Sequence, residues 1–293
     1  MSDVLDELMG LLDLEPIGMN RFRGRCQDLG FKNLFGGQVL GQALSAAMQT
    51  LPGDFHRDWL PHSLHAYFLR PGNVRDSLEF EVSAPRDGRS FANRQVIVSQ
   101  LGKAVMSMIC SFQRPEQGFE HQLNMPPAEG PEGVASQVEL ARQWRDCFPE
   151  RLRPIYTADK PVEMRVVDPI NIFSPEVRPP HKAVWMRSDD TLGDNIRHHT
   201  TLLAYASDFN LITTALLPHG VSVFQKEMQV ASLDHSIWFH RPFRMDDWLL
   251  YSIDSPSASG GRGFCRGQVF SSSGELVASI AQEGLIRHCK PED

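Results

Sequence analysis

No run of 18 or more apolar residues occurs in this chain, so no stretch has the length of a membrane-spanning helix. Its 5 cysteines, Cys26, Cys110, Cys147, Cys265 and Cys289, lie far apart and form no C-x-x-C pair. That spacing argues against a structural zinc site or a disulfide framework and fits a reducing compartment. The N-terminal MSDVLDELMGLLDL lacks a basic leader, and the final HCKPED is not an S-K-L address, so the expectation is a soluble, cytoplasmic protein. Basic runs are missing too, and the formal charge is −7, which disfavours nucleic acid or an anionic membrane as the main partner. Any phosphate on a ligand must then be met by a local patch. Also absent are G-x-S-x-G, H-E-x-x-H, G-x-x-x-x-G-K-[ST] and G-x-G-x-x-G, which removes support for a serine-elbow hydrolase, a zincin, a P-loop enzyme and a dinucleotide fold.

What is present is a repeat. FLRPGNVRDSLEFEV from Phe68 returns as FHRPFRMDDWLLYSI from Phe239. Phe68, Arg70, Pro71 and Asp76 recur at Phe239, Arg241, Pro242 and Asp247, each 171 positions on. Phe91 and Gln95 recur at Phe264 and Gln268 (shift 173), and Val105 and Ser107 at Val277 and Ser279 (shift 172). A near-constant offset through successive elements means two copies of one module. With 41% apolar and 22% charged residues, each copy can bury a core. The reading is an N-terminal module over 1–115, a linker with a helix over 116–160, and a C-terminal module over 161–293.

Residues 3–14 read as an amphipathic helix and 22–26 as an edge strand. FGGQVLGQALSAAMQTL (35–51) reads as a helix rich in small residues. Glycine costs about 1 kcal/mol in a helix interior, so Gly36, Gly37 and Gly41 predict close approach to another backbone, as for a helix wrapped by a curved sheet. From 60 to 113 the period falls to 2, and turns at Arg86-Asp87-Gly88 and Leu101-Gly102-Lys103 divide three or four antiparallel strands. The Pro/Gly-rich RPEQGFEHQLNMPPAEGPEG and the helix-like ASQVELARQWRDCF form the linker. The second copy follows the same order, with one helical stretch through NIRHHTTLLAYASDFNLITTALL before its meander. One helix and one antiparallel sheet per copy make an α+β class.

A polar residue found in only one copy cannot be there merely because the fold requires it. Asp208 is the only charge in LLAYASDFNLITTALL, and its helical neighbours are Ala204, Tyr205, Leu211 and Ile212. A carboxylate on such a face is either an active group or a cap for a helix over 209–217. Gln282 falls in the strand column Ala278, Ile280, Gln282, Gly284, Ile286, where the first copy has Cys110. It either does chemistry or bonds a neighbouring backbone. Ser232 stands where the first copy has Pro61, and a lone strand serine can equally be structural. His65 and His235 are 170 apart, one out of register, so they should face opposite sides of their strands in packing or hydrogen-bonding roles. His62, His198, His199 and His240 have no metal-ligand spacing.

The residues FGGQVLGQAL (35–44), HSLHAYFLRPG (62–72), RDGRSFANRQV (86–96), FQRPEQGFEHQ (112–122), YASDFNL (205–211), LDHSIWFHRPF (233–243), RGFCRGQVF (262–270) and ASIAQEGLIR (278–287) resemble, in order, the type II acyl-CoA thioesterase family. The resemblance implies a double hotdog, in which each module is a helix wrapped in an antiparallel sheet. It also implies fatty acyl-CoA as substrate and a site of Asp208, Ser232 and Gln282, the three residues singled out by comparing the copies. Asp208 would activate a water held by Gln282 and Ser232 with no covalent intermediate. Backbone N–H groups near a helix start would receive the oxyanion, and no metal or organic cofactor would be needed. Many members have Thr at the Ser232 position, and Ser offers the same donor and acceptors. Arg70, Arg241 and Arg262 are candidates for the CoA phosphates, and a homodimer or homotetramer is a family expectation. Two other readings stand beside this one. The first is an enoyl-CoA hydratase or dehydratase, supported by His235 beside Asp234; the second is a non-catalytic acyl-CoA-binding sensor.

Overall fold

The computed structural model describes residues 1–53 and 59–289; the sequence-read C-terminal HCKPED lies outside this range from residue 290 on. Helix α1 (Asp3–Leu12) and strands β1 (Glu15–Gly18) and β2 (Arg21–Gly24) precede α2 (Gly36–Met48) and the meander β3 (Leu60–Phe68), β4 (Leu78–Asp87), β5 (Phe91–Gln100) and β6 (Lys103–Gln113). Short helices α3 (Gln137–Gln143) and α4 (Arg153–Thr157) lie in the linker. The second half has β7 (Val162–Val167), β8 (His181–Ser188), α5 (Ile196–Ala206), a 3₁₀ segment Ile212–His219, and β9 (Met228–Ser232), β10 (Asp234–Phe239), β11 (Leu249–Ser259), β12 (Arg262–Ser271) and β13 (Leu276–His288). No described helix is long and apolar enough to cross a membrane.

All strands join one antiparallel sheet in the order β1-β2-β4-β5-β6-β3-β10-β13-β12-β11-β8-β7, with β9 added on β13. The first six and the last six mirror each other about the β3–β10 junction. There His65 lies opposite Ser236, its own mate at the repeat offset of 171, and its Nδ1 is 3.0 Å from the Ser236 Oγ. An internal pseudo-two-fold axis therefore passes through this pair. The double-hotdog α+β class expected from the sequence is what the chain adopts.

The small residues of α2 do meet another backbone, but it is helix α5 of the other half. A Cβ on Gly37 would sit 2.3 Å from the Tyr205 carbonyl oxygen, and one on Gly41 would sit 3.0 Å from that of Thr201. Ser45 Oγ accepts from Arg197 Nη2 at 2.6 Å. The contacts climb four residues on α2 while descending four on α5, so the helices run antiparallel in near backbone contact. Every residue of α2 from Gly37 to Met48 is buried. Its buried Gln38 and Gln42 are satisfied by the Arg25 and Leu11 carbonyls at 2.9–3.0 Å, as burial demands.

The single helix expected across 195–217 is instead two elements. Asn210 adopts φ 65°, a left-handed conformation that short polar side chains tolerate, and this breaks the run. Shifted by 171, α2 maps onto 207–219, so its repeat partner is the 3₁₀ segment, which packs on β11, β12 and β13 as α2 packs on β4, β5 and β6. Glycines make room for it: a Cβ on Gly263 would lie 2.6 Å from Ala215 Cβ, and one on Gly284 would lie 2.5 Å from Ile212 Cδ1. Helix α5 corresponds to residues 25–35, which form no regular element in the first half.

The linker is strapped to the second half. Met125 and Ala128 pack on a small outer-face cluster of Trp185, Leu250, Phe270 and Leu276. Trp185 Nε1 donates to the Glu129 carbonyl at 2.7 Å, and the Gln122 side chain bonds Leu276 N and the Gly274 carbonyl. Its Pro/Gly content suits backbone that must lie flat without a ladder of its own.

Replacing Gly41 with valine should overpack the α2–α5 contact and lower the unfolding free energy by about 1–3 kcal/mol, read as a shifted denaturant midpoint.

Candidate active site

The break after α5 leaves Asp208 at the N-terminus of α2. The first four N–H groups of a helix lack internal partners, and the N-cap residue of α2, Phe35, supplies no side-chain acceptor. Asp208 Oδ2 fills that role from the other half, accepting from Gly37 N at 2.8 Å. The carboxylate also suits the positive end of the helix dipole. The local cap over 209–217 is thus replaced by a cap across the interface, because the turn at 207–211 carries the carboxylate away from its own following segment. Gly36 is confined as well: a Cβ there would lie 2.9 Å from Asp208 Oδ2 and 2.9 Å from Phe68 Cζ.

Sheet register delivers the other two residues. Ser232, the last residue of β9, pairs with Gly284 on β13, and Gln282 lies two residues before Gly284 on the same face. Gln282 Nε2 donates to Asp208 Oδ1 at 2.6 Å, and Ser232 Oγ donates to the same oxygen at 3.2 Å. Gln282 Nε2 and Ser232 Oγ are 3.0 Å apart. Asp208, Ser232 and Gln282, from three separate segments, therefore converge on one point. Asp208 is only 8% exposed and Gln282 fully buried. Burying a carboxylate is costly, and its three donors offset that cost. Of about four lone-pair positions on a carboxylate, three are engaged, leaving one on Oδ2. The Gln282 bonds go to side chains rather than to a neighbouring backbone. Its Oε1, also buried, has no protein donor.

Reading the sequence for lone polar groups left three further parts unconnected to the site, although His235 and Gly37 were named in hydrogen-bonding and close-approach roles that they do fill. Gly37 is the repeat mate of Asp208 (208 − 37 = 171), so the same arithmetic that found the acid also names its donor. His235 is fully buried behind Gln282, with Nδ1 3.1 Å from Gln282 Nε2 and 3.8 Å from Asp208 Oδ1, and Nε2 2.9 Å from Ser207 Oγ. Tyr251 donates from its hydroxyl to the Ser207 carbonyl at 3.0 Å, fixing that turn from below. Burial raises the Tyr251 phenol well above its ordinary range, with the Asp208 charge adding to the effect, so it stays a neutral donor. Burial likewise lowers the His235 imidazole, against the opposing pull of Asp208.

His65 and His235 do face opposite sides. His65 is exposed on the outer sheet face, edge-on to Trp238 at 5.2 Å, while His235 points inward. Asp234 also points outward and accepts from Glu283 N at 2.7 Å, so the acid facing His235 is Asp208, not its chain neighbour. Aromatic rings pack beside the start of α2: Phe35 stacks on Phe209 at 4.3 Å and meets Tyr205 edge-on at 5.4 Å. Arg70 and Arg241 make the same bond in each half, to the Ala104 and Leu276 carbonyls at 2.8 and 3.0 Å, and Arg262 pairs with Glu283 at 2.9 Å. Among the described residues no group of three or more His, Cys, Asp or Glu side chains is gathered to hold a metal ion.

Comparison of the whole chain with known proteins finds acyl-CoA thioesterases. The family described as acyl-CoA thioesterase matches residues 152–285, and the one described as acyl-CoA thioesterase N-terminal domain matches residues 25–113. Acyl-CoA thioesterase 2 of Haemophilus influenzae is 44% identical over 287 residues, covering 98% of this chain and 99% of its own length. Acyl-coenzyme A thioesterase 8 of Homo sapiens is 37% identical, covering 96% and 89%. Among solved structures, an acyl-CoA thioesterase II from Mycobacterium marinum superposes with a TM-score of 0.78 at 36% identity over 98% of this chain and 99% of its own.

The buried histidine predicts a pH dependence of stability. The unfolded chain protonates histidine near pH 6.5 while the folded state resists, so below about that pH the unfolded state binds more protons. Stability should be full above pH 6.5 and fall as pH drops, by about 1.4 kcal/mol per unit of depression. His235→Asn should flatten the fall in unfolding free energy between about pH 6.5 and 5; an unchanged slope would contradict the buried neutral ring.

Proposed function

The chain belongs to the acyl-CoA thioesterase family and hydrolyses acyl-CoA, and from that premise we propose that it cleaves fatty acyl-CoA by direct attack of a water activated by Asp208. The observation that carries this reading is the buried Asp208 carboxylate, fixed by donors from Gly37, Ser232 and Gln282 and keeping one lone pair free.

Asp208 takes a proton from water as the oxygen adds to the thioester carbonyl. Collapse of the tetrahedral adduct breaks the C–S bond and releases the free acid. The proton held by Asp208 then passes to the CoA thiolate. A thiolate leaves readily, so one base without a separate strong acid suffices. Gln282 Oε1, the buried acceptor with no protein donor, takes the second hydrogen of the attacking water and aligns it. Ser232 stays hydrogen-bonded to Asp208 and steadies the carboxylate throughout. Backbone N–H groups near a helix start, implied by the resemblance as oxyanion donors, include that of Gly37, which is committed to Asp208 and serves to hold the base. Arg70, Arg241 and Arg262 remain proposals for the CoA phosphates, as do the cytoplasmic location and the homodimeric or homotetrameric state.

Asp208→Asn should keep the fold but cut turnover on the order of a hundredfold or more, measured as thiol release from a saturated acyl-CoA; a folded variant with native turnover would refute the role. Gly36→Ala, which presses a methyl against Oδ2, should lower kcat by about tenfold or more. Wild-type kcat in that variant would mean the carboxylate position is not critical.

A further inference from the structure

A buried chain of hydrogen bonds continues behind the site, and no step of the proposed reaction uses it. Ser207, at the end of α5, donates its single hydroxyl proton back to the Ala204 carbonyl at 3.0 Å. Its oxygen can then only accept from His235 Nε2, which lies 2.9 Å away. Full burial keeps the ring neutral, so with the proton on Nε2 its Nδ1 is a bare acceptor. That acceptor lies 3.1 Å from Gln282 Nε2.

The consequence concerns which end of the Gln282 amide faces Asp208. An amide oxygen in that place would confront the Nδ1 lone pair on one side and the carboxylate oxygen, 2.6 Å away, on the other. The NH₂ end satisfies both, one hydrogen going to Asp208 and the other shared by His235 Nδ1 and Ser232 Oγ. Gln282 Oε1 is thereby the amide atom left without a protein donor.

We infer that His235 is a positioning residue: through the Ala204–Ser207–His235 chain it fixes the orientation of the Gln282 amide, and so decides which amide atom meets the reacting groups. This rests on the reading of Asp208 and Gln282 given above. His235 touches neither water nor thioester. It acts by excluding the flipped amide, in which a carbonyl would repel the base and an NH₂ would replace the acceptor.

The test joins kinetics to spectroscopy on the full chain. In His235→Asn the side-chain oxygen stands close to where Nδ1 was, whereas His235→Leu supplies no acceptor. The expected result is a fall in kcat of about tenfold or more with KM unchanged for the leucine variant, and recovery of most of kcat by the asparagine variant. Long-range ¹H–¹⁵N spectra of the wild-type imidazole should show Nε2 protonated and Nδ1 bare. Native kcat in a folded His235→Leu protein, an asparagine variant no better than leucine, or an Nδ1-protonated ring would each overturn the inference. Should His235→Leu fail to fold, Ser207→Ala and the wild-type tautomer decide alone, with a lower kcat and a bare Nδ1 expected. Asp208→Asn run alongside separates the two readings. An inactive Asp208→Asn with a native His235→Leu sinks only the positioning role, and an active Asp208→Asn sinks the proposed site itself.

Discussion

A single hydrogen bond, from Gly37 N–H in the first half to the Asp208 carboxylate in the second, organises the rest of this structure. The helix start needs an acceptor and the buried anion needs donors, and each supplies what the other lacks. The contact dictates glycine at 36 and 37, because a side chain at either position would strike the carboxylate, Phe68 or the Tyr205 carbonyl. It requires the chain to break after α5, since a continuous helix through 207–211 would carry Asp208 past its partner. The close antiparallel stacking of α2 on α5 then fixes the distance between the halves.

The pseudo-two-fold axis explains why the proposed site has no counterpart in the first half. Residues near the axis touch their own repeat mates, as His65 touches Ser236 and Gly37 touches Asp208. If both members of the second pair were aspartate, two carboxylates would meet in a buried space and one would have to be protonated. Asymmetry at the axis is thus imposed by electrostatics. The neighbouring positions follow suit: Gln282 and Ser232 gather around the acid, while their mates Cys110 and Pro61 are buried in the first half's sheet as packing groups.

The parts of this arrangement legible in the sequence were those that break the repeat or keep it in register. The offset through Phe68/Phe239 and Val105/Val277 exposed the two modules, and the lone polar residues Asp208, Ser232 and Gln282 marked where the copies differ. The one-residue slip between His65 and His235 told correctly that they face opposite ways. Harder to read were features set by tertiary contacts. Thr213, Thr214 and a left-handed Asn210 do not announce a 3₁₀ segment, because the same letters fit an α-helix until Gly263 and Gly284 draw the segment onto the sheet. The glycines of α2 announced close approach to another backbone, as of a wrapping sheet, but the backbone met is that of α5, distant in sequence. The role of His235 was hidden because its acid, Asp208, is a neighbour in space, while Asp234 beside it in sequence faces the other way.

We propose Asp208 as a base and not a nucleophile, held for that task by the helix it caps. A single turnover with enzyme in excess in ¹⁸O-water separates the two. Attack by water predicts label in the released acid and none in the peptide containing Asp208. Label in that carboxylate, or an acyl group retained on the protein, would show a covalent acyl-enzyme and make Asp208 the nucleophile.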